Sequence, residues 1–271
     1  MFDALRRWRA QRVLQAQAIP EPLWREALSA LPFLAMYTGD ESARLREKVV
    51  LFLDAKSIVG ANGHEVTPVQ RVVIALQACA LILNRDFALY DGWENIVVYP
   101  GEFVPNWEWE DEAGVVHRNS DPMAGEAMEG GPVVLSWADI EASRDYRESG
   151  MNLAIHEFAH KIDMGNGDAN GRPPLPAAMS PDLWTKTFAA AFDDFCGRVD
   201  RGEFTAIDPY AAESPGEFFA VLSEVFFAAP TLLLEEYRAV YQQFAQFYRQ
   251  DPAARIASGK TLTFTRQPAH D

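Results

Sequence analysis

Apolar residues recur along most of this chain at the spacing of one face of an α-helix. Leu45, Val49 and Phe52, for example, share one face of an amphipathic segment that begins near Glu41. The pattern predicts helices at residues 1–18, 21–30, 41–54, 68–83, 151–163, 181–200, 215–229 and 231–249. Proline at the start of several of these segments supports the assignment, because proline suits the first turn of a helix.

Shorter runs of β-branched and aromatic residues in the middle of the chain predict a small sheet. Strands are expected at residues 96–99 and 132–137, as a hairpin at 104–110 and 115–118, and as two short strands within 56–67 around the turn Asn62-Gly63. Helices followed by a small mixed sheet and further helices are typical of an α+β fold. We expect one domain over residues 1–271, with the N-terminal helix (1–20) and the tail (251–271) peripheral.

Composition and charge narrow the class of protein. Of the 271 residues, 48% are hydrophobic and 23% charged, which is ordinary for a water-soluble globular protein. The formal net charge of −15 disfavours nucleic acid as a partner, because phosphate neutralisation needs a basic surface. Apolar runs are too short for a membrane span, and the N-terminus lacks the apolar core of a signal peptide. With Cys79 and Cys196 predicted to be free thiols, we expect a cytoplasmic location.

The segment His156-Glu157-Phe158-Ala159-His160 carries the clearest chemistry. Residues four apart on a helix lie on the same face, so both imidazoles can bind one metal ion. Glu157 then lies beside the metal, where it can accept a proton from water as in zinc peptidases. The flanking residues are apolar, and a charged group in a buried helix is costly unless it is paired or binds metal. The pattern therefore predicts a metal site.

A catalytic zinc ion usually takes three protein ligands, and the motif supplies two. The remaining histidines, His64, His117 and His270, lack metal-ligand spacing with the motif, and Asn166 stands where some zinc peptidases have a third histidine. A carboxylate from a later helix is therefore expected. Glu217 and Glu224 are the candidates, and their spacing alone does not choose between them. Glu217 also fits a capping box with Ser214, which is its ordinary structural interpretation.

The segments His156–Asp163, Tyr210–Phe227 and Gly131–Trp137 resemble the Mlc titration factor A family of gluzincin-type zinc peptidases. The first two are also similar to the catalytic domain of anthrax lethal factor. The resemblance implies a zincin-like domain whose third zinc ligand is the Glu seven residues after a Tyr. That assignment gives His156, His160 and Glu217 as ligands of one Zn²⁺ per chain, with Tyr210 donating to the oxyanion. Glu224 and Asp163 are then candidates to orient the ligand histidines.

The resemblance also implies an activity and a partner. It points to aminopeptidase-like hydrolysis of peptides and to binding of the glucose-responsive repressor Mlc, which links the family to the sugar phosphotransferase system. The alternative is a protein that mainly sequesters a repressor and has minor or latent hydrolysis.

Two further segments are assigned with open alternatives. The strand at 132–137 is our candidate to pair with the substrate backbone, as a strand beside the metal helix does in many zinc peptidases, or it is an ordinary core strand. The polar segment at 165–180 is expected to be an access loop or a connector.

Overall fold

The computed structural model describes residues 2–103, 108–110, 116–118, 123–143 and 151–259, and confirms the α+β class. Eleven helices surround a small sheet within these residues. The helices are α1 (Phe2–Ala16), α2 (Glu21–Ser29), α3 (Asp40–Ala55), α4 (Pro68–Leu81), α5 (Trp137–Ala142), α6 (Leu153–Asp163), α7 (Pro181–Asp200), α8 (Pro215–Ala228), α9 (Pro230–Glu236), α10 (Arg238–Tyr248) and α11 (Pro252–Ala257). None of them is long and apolar enough to cross a membrane.

The sheet is mixed, as predicted. It contains β1 (Ser57–Gly60), β2 (Asn95–Tyr99), β5 (Gly125–Ala127) and β6 (Val133–Ser136) in the order β1-β2-β6-β5. The first three strands of that order run parallel, and β5 is antiparallel to β6. The predicted hairpin is present as β3 (Glu108–Glu110) paired with β4 (Val116–Arg118). The rest of its predicted extent, 104–107 and 111–115, lies outside the described residues.

Local chemistry explains where the long helices begin. Thr67 and Gln70 form a capping box at the start of α4, since each side chain binds the backbone N–H of the other. Ser180 and Ser214 cap α7 and α8 in the simpler way, by accepting a hydrogen bond from a backbone N–H three residues on. A proline follows each of these three caps, where its missing N–H costs nothing.

One cluster of buried apolar residues extends from Ile19 to Ala253 and includes side chains of both the helices and the sheet. Helix α6 lies at its centre, packed against α4, α8, β5 and β6. All eleven residues of α6 are buried, including its five charged or ionisable ones. The helix that carries the candidate metal ligands is therefore held on several sides by the core. Cys79 is fully buried and Cys196 partly exposed, and both are free thiols.

Two predictions about elements are wrong. Residues 56–67 contain only the first of the two expected strands, β1, because β1 pairs in parallel with β2 and the chain after the Asn62-Gly63 turn leads into α4. The helix predicted at 231–249 is two helices, α9 and α10, which meet at Tyr237. The Tyr237 ring packs against Phe195 and Phe218, and the backbone of this residue leaves the helical conformation (φ −135°, ψ 65°), which ends α9.

The tail assigned to 251–271 also contains structure that the sequence pattern did not predict. Asp251 caps the short helix α11, and its second residue, Ala253, is buried. Arg255 forms a two-pronged ion pair with Glu41 of α3. This contact joins residues more than two hundred positions apart, so no local sequence pattern predicts it. Residues 260–271 lie outside the described part of the chain.

Candidate metal centre and active site

Three side chains from two helices meet at one point. His156 and His160 project from the same face of α6, and their Nε2 atoms lie 3.1 Å apart. Glu217, from the first turn of α8, places Oε2 3.0 Å from Nε2 of His156 and 3.3 Å from Nε2 of His160. The structure thus brings together the three residues predicted as metal ligands.

The spacing of these three atoms fits a metal ion. Ligand atoms at 2.0–2.1 Å from a tetrahedral zinc ion lie roughly 3.3 Å from one another. The three atoms here lie 3.0 to 3.3 Å apart, and they belong to the one group of described residues whose donor atoms are close enough to share a metal. Two imidazoles and a carboxylate form a ligand set found in catalytic zinc sites.

The charges around the histidines favour a cation. Burial lowers the pKa of His156, but its hydrogen bonds with Glu217 and Glu224 outweigh that effect and raise the pKa well above its usual value. Burial would raise the pKa of Glu217, whereas hydrogen bonds with His156 and His160 lower it to about 2. Glu217 is therefore ionised at neutral pH, and its negative charge next to the two histidines favours the binding of a divalent metal ion.

Glu217 does not complete the capping box that the sequence allows. Ser214 Oγ accepts a hydrogen bond from the Glu217 backbone N–H, but the Glu217 carboxylate turns toward the histidines. The start of α8 is fixed by a close approach to the preceding loop. A Cβ on Gly171 would lie 2.6 Å from the Pro215 carbonyl oxygen, and one on Gly216 would lie 2.7 Å from that of Ala169. These contacts hold the turn that presents Glu217.

Glu224 lies behind His156 and not at the metal position. Its Oε1 is 2.7 Å from His156 Nδ1, and its other oxygen accepts a hydrogen bond from the Asn152 backbone N–H. Asn152 in turn caps α6 by accepting a hydrogen bond from Ile155 N. Glu224 therefore holds the imidazole with Nε2 directed at the site, which is what a carboxylate behind a ligand histidine does.

Asp163 does not make the corresponding contact with His160. Its Oδ2 accepts a hydrogen bond of 2.7 Å from Gly171 N, which ties the end of α6 to the loop at 165–180. Burial raises the pKa of Asp163 to about 6. His160 Nδ1 and Asp163 Oδ1 are both buried and have no protein hydrogen-bond partner among the described residues. In the described geometry Asp163 anchors the loop at 165–180 to the end of α6.

Glu157 follows His156 directly on α6, and its carboxyl group points toward β5. A Cβ on Gly125 would be 2.5 Å from Glu157 Oε1, so the strand backbone directly borders the carboxyl group. Burial raises the pKa of Glu157 to about 7, although the nearby His156 and His160 act to lower it. A carboxyl group with a pKa near neutrality is suited to accept and return a proton.

Tyr210 lies at the open side of the site. It belongs to the 3₁₀ turn Pro209–Ala212, is 51% exposed, and its ring centre lies 6.1 Å from that of His156. Partial burial, together with the charges of Glu217 and Glu157, raises the pKa of Tyr210 to about 12. Its hydroxyl group is therefore protonated at neutral pH and can donate a hydrogen bond.

The strand predicted to pair with substrate is in the wrong position for that role. β6 lies between β2 and β5, and all four of its residues are buried, so both of its edges are already paired. The strand at the end of the sheet next to Glu157 is β5, which the sequence reading missed. Its sequence, Gly-Glu-Ala, has no β-branched or aromatic residue and so forms no strand pattern, but the Gly130-Gly131 turn before β6 was a signal, since such turns join antiparallel strands.

Comparison with known proteins agrees with this geometry. Curated proteins called Mlc titration factor A from Salmonella gallinarum and Salmonella schwarzengrund are 42% identical over 252 residues, covering 92% of this chain and 92% of theirs. The protein of that name from Salmonella arizonae is equally similar, with 98% of its length covered. The family described as glucose-regulated metallo-peptidase M90 matches residues 5–249. The chain therefore belongs to the glucose-regulated metallo-peptidase M90 family.

Proposed function

We propose that this protein is a zinc-dependent peptidase with His156, His160 and Glu217 as the metal ligands. The observation that carries the proposal is the convergence of the three donor atoms within 3.3 Å, beside the buried carboxyl group of Glu157. A zinc ion held by these three residues would act as a Lewis acid and would lower the pKa of water toward neutrality. Both effects would promote the attack of water on a peptide carbonyl group.

The residues around the donors fit the remaining steps. Glu157 accepts a proton from the attacking water and then donates it to the leaving amine, which matches its raised pKa of about 7. Tyr210 donates a hydrogen bond to the carbonyl oxygen of the substrate as negative charge builds on it. Glu224 keeps His156 in the required orientation through its 2.7 Å contact with Nδ1.

The edge strand β5 supplies a place for the substrate backbone. Ser136 N donates to Ala124 O and Met128 N to Pro132 O, so Ala124 and Met128 face β6. Backbone groups alternate in direction along a strand, and therefore Gly125 and Ala127 present their N–H and C=O groups on the other side. Met123, just before β5, uses that side to exchange hydrogen bonds with Phe103, so an extended peptide would pair with Gly125 and Ala127, next to Glu157. We infer that β5, and not the predicted strand at 132–137, pairs with the substrate backbone.

Repressor binding and aminopeptidase specificity are proposed from the resemblance to the family. The similar Salmonella proteins carry the name Mlc titration factor A. We propose that this chain likewise binds an Mlc-type glucose repressor and so modulates the expression of phosphotransferase-system genes. Aminopeptidase specificity is proposed on the same ground. The name of those relatives also favours the second candidate function, a repressor-binding protein with minor or latent hydrolysis.

The first test compares bound zinc and hydrolysis of aminoacyl and N-blocked peptide substrates in four proteins. Wild type is set beside Glu157→Gln, Glu217→Ala and the control Glu213→Gln, which changes an exposed carboxylate just before α8. We expect one zinc ion per chain in wild type, Glu157→Gln and the control. Glu217→Ala should bind less zinc, and hydrolysis should fall by about 10²-fold or more in both site variants.

The outcomes separate the candidate functions. Activity on substrates with a free amine only supports an aminopeptidase, whereas equal activity on blocked peptides rules that specificity out. Near wild-type hydrolysis by Glu157→Gln would contradict its proposed role. Stoichiometric zinc without hydrolysis of any substrate, together with repressor binding by both wild type and Glu157→Gln, would favour the repressor-binding function.

A further inference from the structure

Lys161 is a buried cation next to the candidate metal ligands that the proposed chemistry does not use. Only 4% of the residue is exposed, and it follows His160 directly on α6. Its Nζ donates to the carbonyl oxygens of Met128 and Gly131, the second at 2.8 Å, and lies 5.3 Å from the centre of the Trp93 ring. Burial of an ammonium group costs free energy unless the group is hydrogen-bonded. The two carbonyl groups and the Trp93 ring provide that compensation for Lys161.

The two carbonyl groups belong to the turn that joins β5 to β6. Gly131 N donates to Met128 O at 3.1 Å and closes the turn, while Gly130 takes the left-handed conformation with φ of 60°. The tip of this turn, Glu129-Gly130, is exposed. Hydrogen bonds from a charged ammonium group are stronger than those from a neutral donor such as water. The ammonium of Lys161 ties both carbonyls to α6.

Strand β5 is thus held against α6 at both of its ends. At its first residue, Gly125 lies against Glu157 so closely that an added Cβ would fall 2.5 Å from Oε1. Just past its last residue, Lys161 holds the turn one helical turn further along α6. The distance and tilt of the strand relative to Glu157 therefore depend on the ammonium group of Lys161.

We propose that Lys161 is a positioning residue that fixes the edge strand Gly125–Ala127 for pairing with the backbone of a peptide substrate. This role rests on the peptidase function proposed above. Lys161 acts through the turn at 128–131 and does not itself touch the reacting atoms. Its removal is expected to weaken the binding of substrates in proportion to the length of peptide that pairs with β5.

Lys56 provides a matched control for Lys161. It too is a buried lysine whose Nζ donates to two backbone carbonyls, those of Tyr90 and Trp93, and it lies 3.8 Å from the centre of the same Trp93 ring. Its carbonyl partners precede β2 and lie outside the turn at 128–131, although both lysines contact the same Trp93 ring. Lys56→Met therefore removes a comparable ammonium group while leaving β5 attached to α6.

The test measures backbone amide exchange without substrate, and then steady-state kinetics, in wild type, Lys161→Met and Lys56→Met with bound metal confirmed. Exchange within residues 125–131, measured at the hydrogen-bonded amides of Met128 and Gly131, should be about tenfold faster in Lys161→Met and unchanged in Lys56→Met. The KM for a peptide of five residues should rise about tenfold in Lys161→Met, with kcat within about twofold. The KM for a single aminoacyl anilide, which reaches little of β5, should change less.

Unchanged exchange at 125–131 in Lys161→Met, or an equal rise of KM for both substrates, overturns the proposal. If Lys161→Met does not fold, Gly130→Ala strains the same turn without removing a buried charge, and it should change exchange and KM in the same direction. If wild type hydrolyses no substrate, the peptidase function and the substrate part of this proposal both fail. The exchange comparison still shows whether Lys161 holds β5.

Discussion

Glu224 Oε1 lies 2.7 Å from Nδ1 of His156, on the side of the imidazole opposite Glu217. The carboxylate is 3% exposed, and its second oxygen is bound by Asn152 N at the start of the same helix. One side chain of α8 therefore fixes both the ring of a candidate ligand and the first turn of α6. Glu224 is not a metal ligand in this arrangement, but the metal site depends on it.

Replacing Glu224 should weaken metal binding without removing a ligand. Loss of a carboxylate behind a ligand histidine typically costs 10- to 100-fold in affinity, and we expect that loss for Glu224→Ala. Glu224→Gln keeps an oxygen that accepts from His156 and should lose less. A zinc titration against a chromophoric chelator measures both. Equal affinity of wild type and Glu224→Ala would show that the His156 ring is held by other contacts.

Gly125 is expected to be required because of the space it leaves for Glu157. An added Cβ would meet Glu157 Oε1 at 2.5 Å and Leu153 Cδ1 at 2.8 Å, so the carboxyl group would have to move. We expect Gly125→Ala to keep its zinc and to lose about tenfold or more in kcat. Gly101→Ala is the control, because its Cβ would meet nothing within 4 Å. Full activity of Gly125→Ala would mean that Glu157 functions in more than one position.

The parts of the fold that the sequence predicted are those determined locally. Helices α7 and α8 begin at the predicted prolines because Ser180 and Ser214 cap them within three residues. The break at Tyr237 was missed because it depends on packing of that ring against Phe195 and Phe218, which are distant in sequence. No local pattern encodes such a contact.

Some residues of the candidate site can likewise be predicted from local spacing, whereas others depend on how the helices pack. His156, Glu157 and His160 follow from helical spacing alone. Glu217 and Glu224 are seven residues apart, so both lie on the same face of α8, and only the crossing of α8 over α6 decides which one reaches both Nε2 atoms. That crossing is a property of the packed core. Family resemblance supplied the choice that spacing did not, and the geometry agrees with it.

Removing the metal should lower the stability of the whole protein. Zinc would link α6 to α8 through His156, His160 and Glu217, and a ligand that binds only the folded state stabilises it by about 4 kcal/mol at a thousandfold excess over Kd. For a chain of 271 residues this corresponds to a fall in Tm of roughly 5–15 °C when a chelator is added. Calorimetry with and without chelator measures it.

Glu217→Ala is the control for that experiment, since it should already lack tightly bound metal. Its Tm should respond little to the chelator. A wild-type Tm that does not change on verified loss of zinc would argue that the two helices are held by the core alone.

Lys56 should make stability depend on pH in the alkaline range. Burial lowers the pKa of Lys56 from 10.5 to about 8, opposed by the charges of Asp91 and Glu94 and assisted by Lys161. Below pH 8 both the folded and unfolded chains carry the proton, and the cost of burying the ammonium group is fully present. Between about pH 8 and 10.5 the folded chain releases the proton first, so the free energy of unfolding contributed by Lys56 rises with pH.

Comparison with Lys56→Met separates the contribution of Lys56 to the pH dependence of the unfolding free energy from that of the other groups that titrate at alkaline pH. Wild type should gain stability relative to the variant between pH 8 and 10.5, by about 1 kcal/mol once solvent screening is allowed for. Urea unfolding of both proteins at pH 7.5, 9 and 10.5 measures the difference. A gap that is constant across this range would mean that the hydrogen bonds from Nζ to the carbonyls of Tyr90 and Trp93 keep the ammonium protonated in the folded protein.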